Sequence, residues 1–154
     1  MFRVKVKDIM TKKVITASKD DTFYKVAILM KENDIGFVPI MEDNNLIGVI
    51  TDRDIVIRGI ANKENHDSKI DKYITPKVVT IDKNASINEA SKIMAEKQLK
   101  RLLVTDNDKL VGVLTLFDIT INNENRALEA LKGINKNHQN NLSDDNTDID
   151  DFKL

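Results

Sequence analysis

Thr51, Asp52, Arg53 and Asp54 close the short apolar run Gly48-Val49-Ile50 and precede another, Ile55-Val56-Ile57. A hydroxyl, a guanidinium and two carboxylates thus fall within four residues. One reading is local. Thr51-x-x-Asp54 is close to a capping box, with Thr51 as N-cap and Asp54 at the third helical position, near the positive end of a helix. The other reading is chemical. A carboxylate accepts two hydrogen bonds from a vicinal diol such as the ribose 2′,3′-diol, and a threonine hydroxyl with free helix-end N–H groups can meet a phosphate. Arg53 is either an exposed helix residue or a bidentate phosphate contact. The two readings are compatible.

Other chemistries find few candidates. There is no cysteine, which excludes disulfides, Cys-ligated zinc and a thiol nucleophile. His66 lies in a polar stretch and His138 near the end of the chain, so neither has metal-type spacing nor a nucleophile beside it, and the expected metal set is none. No Gly-rich phosphate loop occurs, and no carboxylate pair stands out as acid and base. The expectation is a protein that is not an enzyme. With 24 Lys and Arg against 25 Asp and Glu, the near-neutral balance argues against nucleic acid as a direct partner. The N-terminus lacks the apolar core of a signal peptide, and no apolar run approaches the ~18–20 residues of a membrane helix. A cytoplasmic location away from membranes is expected.

The elements that must position the turn show themselves through a repeat. Residues 14–55 align without a gap on 78–119, an offset of 64, with identity at 11 of 42 positions. Thr51, Asp54 and Ile55 recur as Thr115, Asp118 and Ile119, while Arg53 is replaced by Phe117. Duplication does not separate capping from ligand binding, since both would repeat.

Each copy opens with an extended piece, 14–16 or 78–81. A helix follows, marked by the stripe Phe23, Val26, Ala27, Met30 in the first copy and Ile87, Ala90, Met94 in the second. Ser86-x-x-Glu89 is a capping box for the latter. Two strands joined by a turn come next: 37–41 and 46–50 around Glu-Asp-Asn-Asn, then 102–105 and 110–115 around Asp-Asn-Asp-Lys. A second helix starts at Asp52 or Leu116. The order is β-α-β-β-α, twice.

A unit of some 50 residues buries its apolar surface poorly alone. The expected fold is therefore α/β (α+β), with tandem β-α-β-β-α repeats packed by pseudo-two-fold symmetry around a groove. Residues 6–62 form the first domain, 63–69 a connector within the polar stretch 59–69, and 70–134 the second domain with an extended last helix that Gly133 can stop. From Asn135 the composition turns polar and acidic, and 135–154 reads as a disordered tail: a solvated terminus, or a partner-binding or self-masking segment anchored by Phe152 and Leu154.

This tandem resembles the stand-alone CBS domain pair, or Bateman module. The resemblance rests on the early Asp-Ile-Met-Thr-Lys-Lys-Val-Ile-Thr, the later Val-Pro-Ile, and Gly-x-x-Thr-x-x-Asp at Gly48–Asp54 and again at Gly112–Asp118, over about residues 6–122. It implies a regulatory module that binds AMP, ADP, ATP or S-adenosylmethionine in the cleft between two domains, often as a disk-like homodimer, and that acts on a protein partner. No other cofactor is implied. It also implies composite sites. Site A joins Thr51, Arg53 and Asp54 to Thr75, Val79, Thr80, Lys100, Arg101 and Leu102. If it forms, Arg53, Lys100 and Arg101 bring three cations to a phosphate, and the family uses an arginine at the position of Arg101. Site B joins Thr115 and Asp118 to Thr11, Ile15, Thr16, Ile35, Gly36, Phe37 and Pro39. It lacks the cations and suits a nucleoside, a cationic adenosyl compound, or nothing. Phe37 and Phe117 are either core residues or neighbours of an adenine. The alternative function is a structural or protein-interaction module with vestigial sites.

Overall fold

The computed structural model describes residues 3–144, with the side chains of Glu124 and 137–144 outside the description. Phe152 and Leu154, the expected anchors of the tail, lie outside the described residues.

Side-chain caps start the two long helices of the repeat. Thr22 Oγ1 accepts the Lys25 N–H at 3.2 Å and opens α2, Phe23–Asn33; Asp34, at φ 51°, ends it in the left-handed region. Ser86 Oγ accepts the Glu89 N–H at 3.1 Å and opens α4, Ile87–Lys97, which ends on left-handed Gln98. The return bond of the expected box, from the Ser86 N–H to the Glu89 side chain, is not among the bonds of the described residues. Each cap is worth about 1 kcal/mol. Phe23, Val26 and Met30 are buried as their spacing requires, but Ala27 is exposed and so does not belong to the core stripe.

The strands are β1, Ala17–Ser18; β2, Phe37–Glu42; β3, Asn45–Thr51; β4, Thr80–Asp82; β5, Arg101–Asp106; and β6, Lys109–Thr115. They form two three-stranded sheets, ordered β1-β2-β3 and β4-β5-β6. β1 runs parallel to β2 with Ala17 opposite Ile40, and β4 parallel to β5 with Thr80 opposite Leu103. The first strands thus lie later than the expected 14–16 and 78–81, because pairing with the middle strand sets their extent. β2 and β3 are antiparallel, with Phe37 opposite Thr51. Asp43 and Asn44, like Asn107 and Asp108, sit at positive φ, which is the conformation of a tight two-residue hairpin turn.

The second helix of each copy begins where the sequence places it. α3, Asp52–Asp54, widens into a π-helical turn over Ile55–Gly59 and a 3₁₀ turn over Ile60–Asn62. α5, Leu116–Asn122, stays α-helical. A short α1, Val6–Ile9, lies outside the sequence reading, and α6 spans Glu124–Asp144.

The chain divides into two compact units that cut across the repeat. The first joins 11–82 to 103–112. Its core holds Ala17, Phe23, Val26, Met30, Val38, Ile40, Ile50 and Ile70, with Ile55, Tyr73 and Ile74 packed against it. The second joins the described parts of 3–10, 83–102 and 113–144. Here α4, α5 and α6 pack together, burying Ile87, Ala90, Met94, Leu116, Ile119, Ala127, Ala130 and Ile134. Each large apolar side chain fully removed from water contributes ~1.5–3 kcal/mol. Gly133 does not stop α6. A Cβ there would lie 2.4 Å from the Ala95 Cβ, so this glycine lets α6 approach α4, and the helix runs on to Asp144. Of the expected disordered tail, 135–154, residues 135–144 continue α6 and 145–154 lie outside the described residues.

Candidate functional site

In the first copy the turn is built by β3 ending as α3 starts. Thr51 Oγ1 accepts the Asp54 N–H at 3.1 Å and donates its own proton to Asp54 Oδ2 at 3.0 Å. The Thr51 N–H donates to the same Oδ2 at 3.0 Å. The capping box is therefore formed, and it uses one carboxylate oxygen of Asp54. The other, Oδ1, faces Arg58 Nη1 at 3.5 Å. Asp54 is half-buried, and Arg53 beside it is exposed.

Thr75 is brought to this turn within the same compact unit. Its N–H donates to the Val49 carbonyl at 2.8 Å, and the Val49 N–H donates to the Thr75 carbonyl at 3.0 Å. Gly48 makes the approach possible: a Cβ there would stand 2.3 Å from Ile74 Cγ2 and 2.6 Å from the Thr75 carbonyl oxygen. Val79 is half-buried and Thr80 exposed, the latter opening β4. Of the residues assigned to site A, Thr51, Arg53, Asp54, Thr75, Val79 and Thr80 thus share one unit. Lys100, Arg101 and Leu102 belong to the other unit, where the Lys100 carbonyl accepts the Leu116 N–H at 2.8 Å and the Leu102 side chain is core.

Site B divides in the same way. Thr115 and Asp118 repeat the cap in the second unit: Asp118 Oδ2 accepts from the Thr115 N–H at 2.7 Å and from its hydroxyl at 2.8 Å. Thr11, Ile15, Thr16, Ile35, Gly36, Phe37 and Pro39 lie in the first unit. There the Gly36 carbonyl accepts the Asp52 N–H at 3.0 Å, and a Cβ on Gly36 would meet the Asp52 carboxylate at 2.6 Å. Pro39 is buried in β2, and Phe37 is half-buried opposite Thr51. Phe117 is 70% exposed. The core reading of Phe117 is overturned: Leu116 and Ile119 turn inward on α5, which leaves the intervening Phe117 outside.

The sequence reading missed Arg58. Its signal was the four-residue spacing from Asp54, which places both on one helical face. Nη1 donates to the Tyr73 carbonyl at 2.9 Å, Nη2 reaches the Lys72 carbonyl at 3.5 Å, and the guanidinium lies 5.8 Å from the centre of the Tyr73 ring. The Tyr73 hydroxyl donates to Glu64, and the Glu64 carboxylate raises the Tyr73 pKa above its ordinary value. A separate apolar hollow of about 180 Å³, lined by Phe23, Tyr24, Ala27, Ile55, Gly59, Ile60 and the 64–66 segment, contains none of the expected site residues.

A family model for the CBS domain matches the chain twice, over residues 6–59 and 70–122. The chain belongs to the CBS domain family. The first CBS domain carries the Thr51–Asp54 turn and the second the Thr115–Asp118 turn. Among similar proteins, YlbB of Bacillus subtilis is 38% identical over 136 residues, covering 86% of this chain and 92% of the relative. The crystal structure of Hypoxic Response Protein I, which holds two coordinated zinc ions, is similar with a TM-score of 0.69 and 35% identity, over 77% of this chain and 98% of that one. The CBS domain pair of protein MJ0100, in complex with 5′-methylthioadenosine and S-adenosyl-L-methionine, is similar with a TM-score of 0.71 and 25% identity, over 81% of this chain and 99% of that one. Among the described residues of this chain, no group of three or more His, Asp or Glu could hold a metal ion. No helix among them is long and apolar enough to cross a membrane.

Proposed function

We propose that this CBS domain pair is a non-enzymatic regulatory module that binds an adenine nucleotide or related adenosyl compound through the turn of its first domain. The observation that carries the reading is the state of Asp54. Its Oδ2 is committed to the cap, while Oδ1 has one long contact and keeps acceptor capacity for a ribose hydroxyl, beside the Thr75 segment that Gly48 admits. Exposed Arg53 offers a cation to a phosphate. The binding of 5′-methylthioadenosine and S-adenosyl-L-methionine by the pair in MJ0100 supports the ligand class. Calorimetric titration with AMP, ADP, ATP and S-adenosylmethionine is expected to give saturable heat at submillimolar ligand with at least one of them. Absence of heat with all four would contradict the reading.

A specific observation favours a second reading, an interaction module. Tyr24, Val56, Ile57 and Ile60 are exposed apolar side chains of the first unit, and Phe117, Ile121 and Leu128 of the second. We propose that a second copy of the chain covers them in a homodimer, which is compatible with ligand binding.

A further inference from the structure

Arg58 separates the two CBS domains more sharply than any residue of the repeated turn itself. In the first domain Asp54 Oδ1 pairs with a guanidinium that is held from behind by two main-chain carbonyls and an aromatic face. Tyr73, which supplies one carbonyl and the ring, is itself fixed. Its ring centre lies 4.9 Å from that of Phe23, and its hydroxyl is bound to Glu64. Two residues on, Thr75 pairs with Val49, and Val49 leads back along β3 to Thr51. Asp54, Arg58, Tyr73, Thr75, Val49 and Thr51 thus close a ring of contacts around the turn, all within one compact unit. The π-helical winding over Ile55–Gly59 belongs to this arrangement. Gly59 sits against the Phe23 ring, where a Cβ would be 3.0 Å from the nearest carbon. Wide turns of this kind recur at functional sites.

The second domain has the cap without the arginine. Asn122 stands at the position equivalent to Arg58, and its amide donates to the Asp118 main-chain carbonyl at 2.8 Å rather than to the carboxylate. Gly59 is matched by Asn123, and the helix stays regular.

We propose that Arg58 is a positioning residue that orients the Asp54 carboxylate for ribose hydroxyls. This rests on the reading of the turn as an adenosyl site. With Oδ2 fixed by Thr51, a cation on Oδ1 sets the rotation of the carboxylate plane, so that a remaining lone pair of Oδ1 meets the ligand in a defined direction. A hydrogen bond to a carboxylate so held discriminates for the hydroxyl by roughly tenfold or more. Asp118, with asparagine in place of that arginine, is not constrained in this way.

The test compares ATP with 2′,3′-dideoxy-ATP on the full chain and on Arg58→Met, with Arg58→Lys as a second variant that retains charge but not the planar fork. The wild type is expected to lose at least tenfold in affinity when the hydroxyls are removed, and Arg58→Met to lose less than threefold. Both affinities come from the same protein, so a smaller folded fraction cancels in the ratio. Equal loss in wild type and both variants would overturn the role of Arg58 while leaving the adenosyl reading in place. Wild type that does not bind ATP overturns the role as stated, and the titration with all four adenosyl compounds then decides the wider reading separately.

Discussion

Asp54 uses Oδ2 to start a helix and leaves Oδ1 with one long contact to Arg58. The spacing Thr51-x-x-Asp54 made the cap legible in the sequence, because the geometry of a helix start is local and has a fixed period. The four-residue spacing signals the Arg58–Asp54 pairing, but the rest of the Arg58 surroundings was not legible by the same means. Its bonds run to the carbonyls of Lys72 and Tyr73, 14 and 15 residues away, and only the fold brings those groups to it. Phe117, read as either a core residue or a neighbour of an adenine, is not core: the face of α5 that packs carries Leu116 and Ile119 and leaves Phe117 exposed. A titration tests this neighbourhood. The Glu64 carboxylate accepts the Tyr73 hydroxyl and disfavours the tyrosinate, so the Tyr73 pKa stands above 10.0 in the folded chain. A raised pKa means that the folded state holds the proton more tightly; the stabilisation is present below about pH 10 and is lost as pH rises through the folded value. In a Tyr24→Phe background, tyrosinate absorbance is expected to rise at lower pH after Glu64→Gln. An unchanged titration would contradict the contact.

The elements follow the 64-residue offset closely: α2 and α4, β2 and β5, β3 and β6, and the starts of α3 and α5 all match across the copies. Helix stripes and Asp/Asn turns carried that much. The first strands were misplaced because two or three residues give no periodicity and their extent is fixed by pairing partners. Gly133 was misread because a glycine near a helix end signals a stop, whereas here the missing Cβ serves contact with Ala95. Gly48 carries the clearest consequence at this scale. Gly48→Ala must push the Ile74–Thr75 segment away from β3, since the Cβ contacts of 2.3 and 2.6 Å cannot be accommodated in place. Overpacking of this kind costs ~1–3 kcal/mol, and each kcal/mol lowers Tm by ~2–4 °C in a chain of about this size. A thermal melt is expected to show that decrease, together with weaker ligand binding because Thr75 moves. Equal Tm and affinity would contradict the close approach.

The whole molecule is a pair of CBS domains whose repeated turns differ in their surroundings. Composition and duplication made the pair readable, and Tyr24, Ile60, Phe117 and Ile121 are exposed on it; the homodimer proposed above would cover them. Sedimentation equilibrium at micromolar concentration is expected to show a dimer that Ile60→Asp with Phe117→Asp converts to monomer; a monomeric wild type would contradict this. The inequality of the turns was visible in sequence as Arg53 against Phe117, and the structure adds Arg58 against Asn122. The most direct test of adenosyl binding at the first turn is the calorimetric titration with the four compounds, carried out in parallel on wild type, Asp54→Ala and Asp118→Ala. Saturable binding is predicted, which Asp54→Ala weakens at least tenfold and Asp118→Ala leaves within about threefold. Binding that is unaffected by Asp54→Ala, or lost instead with Asp118→Ala, would contradict it.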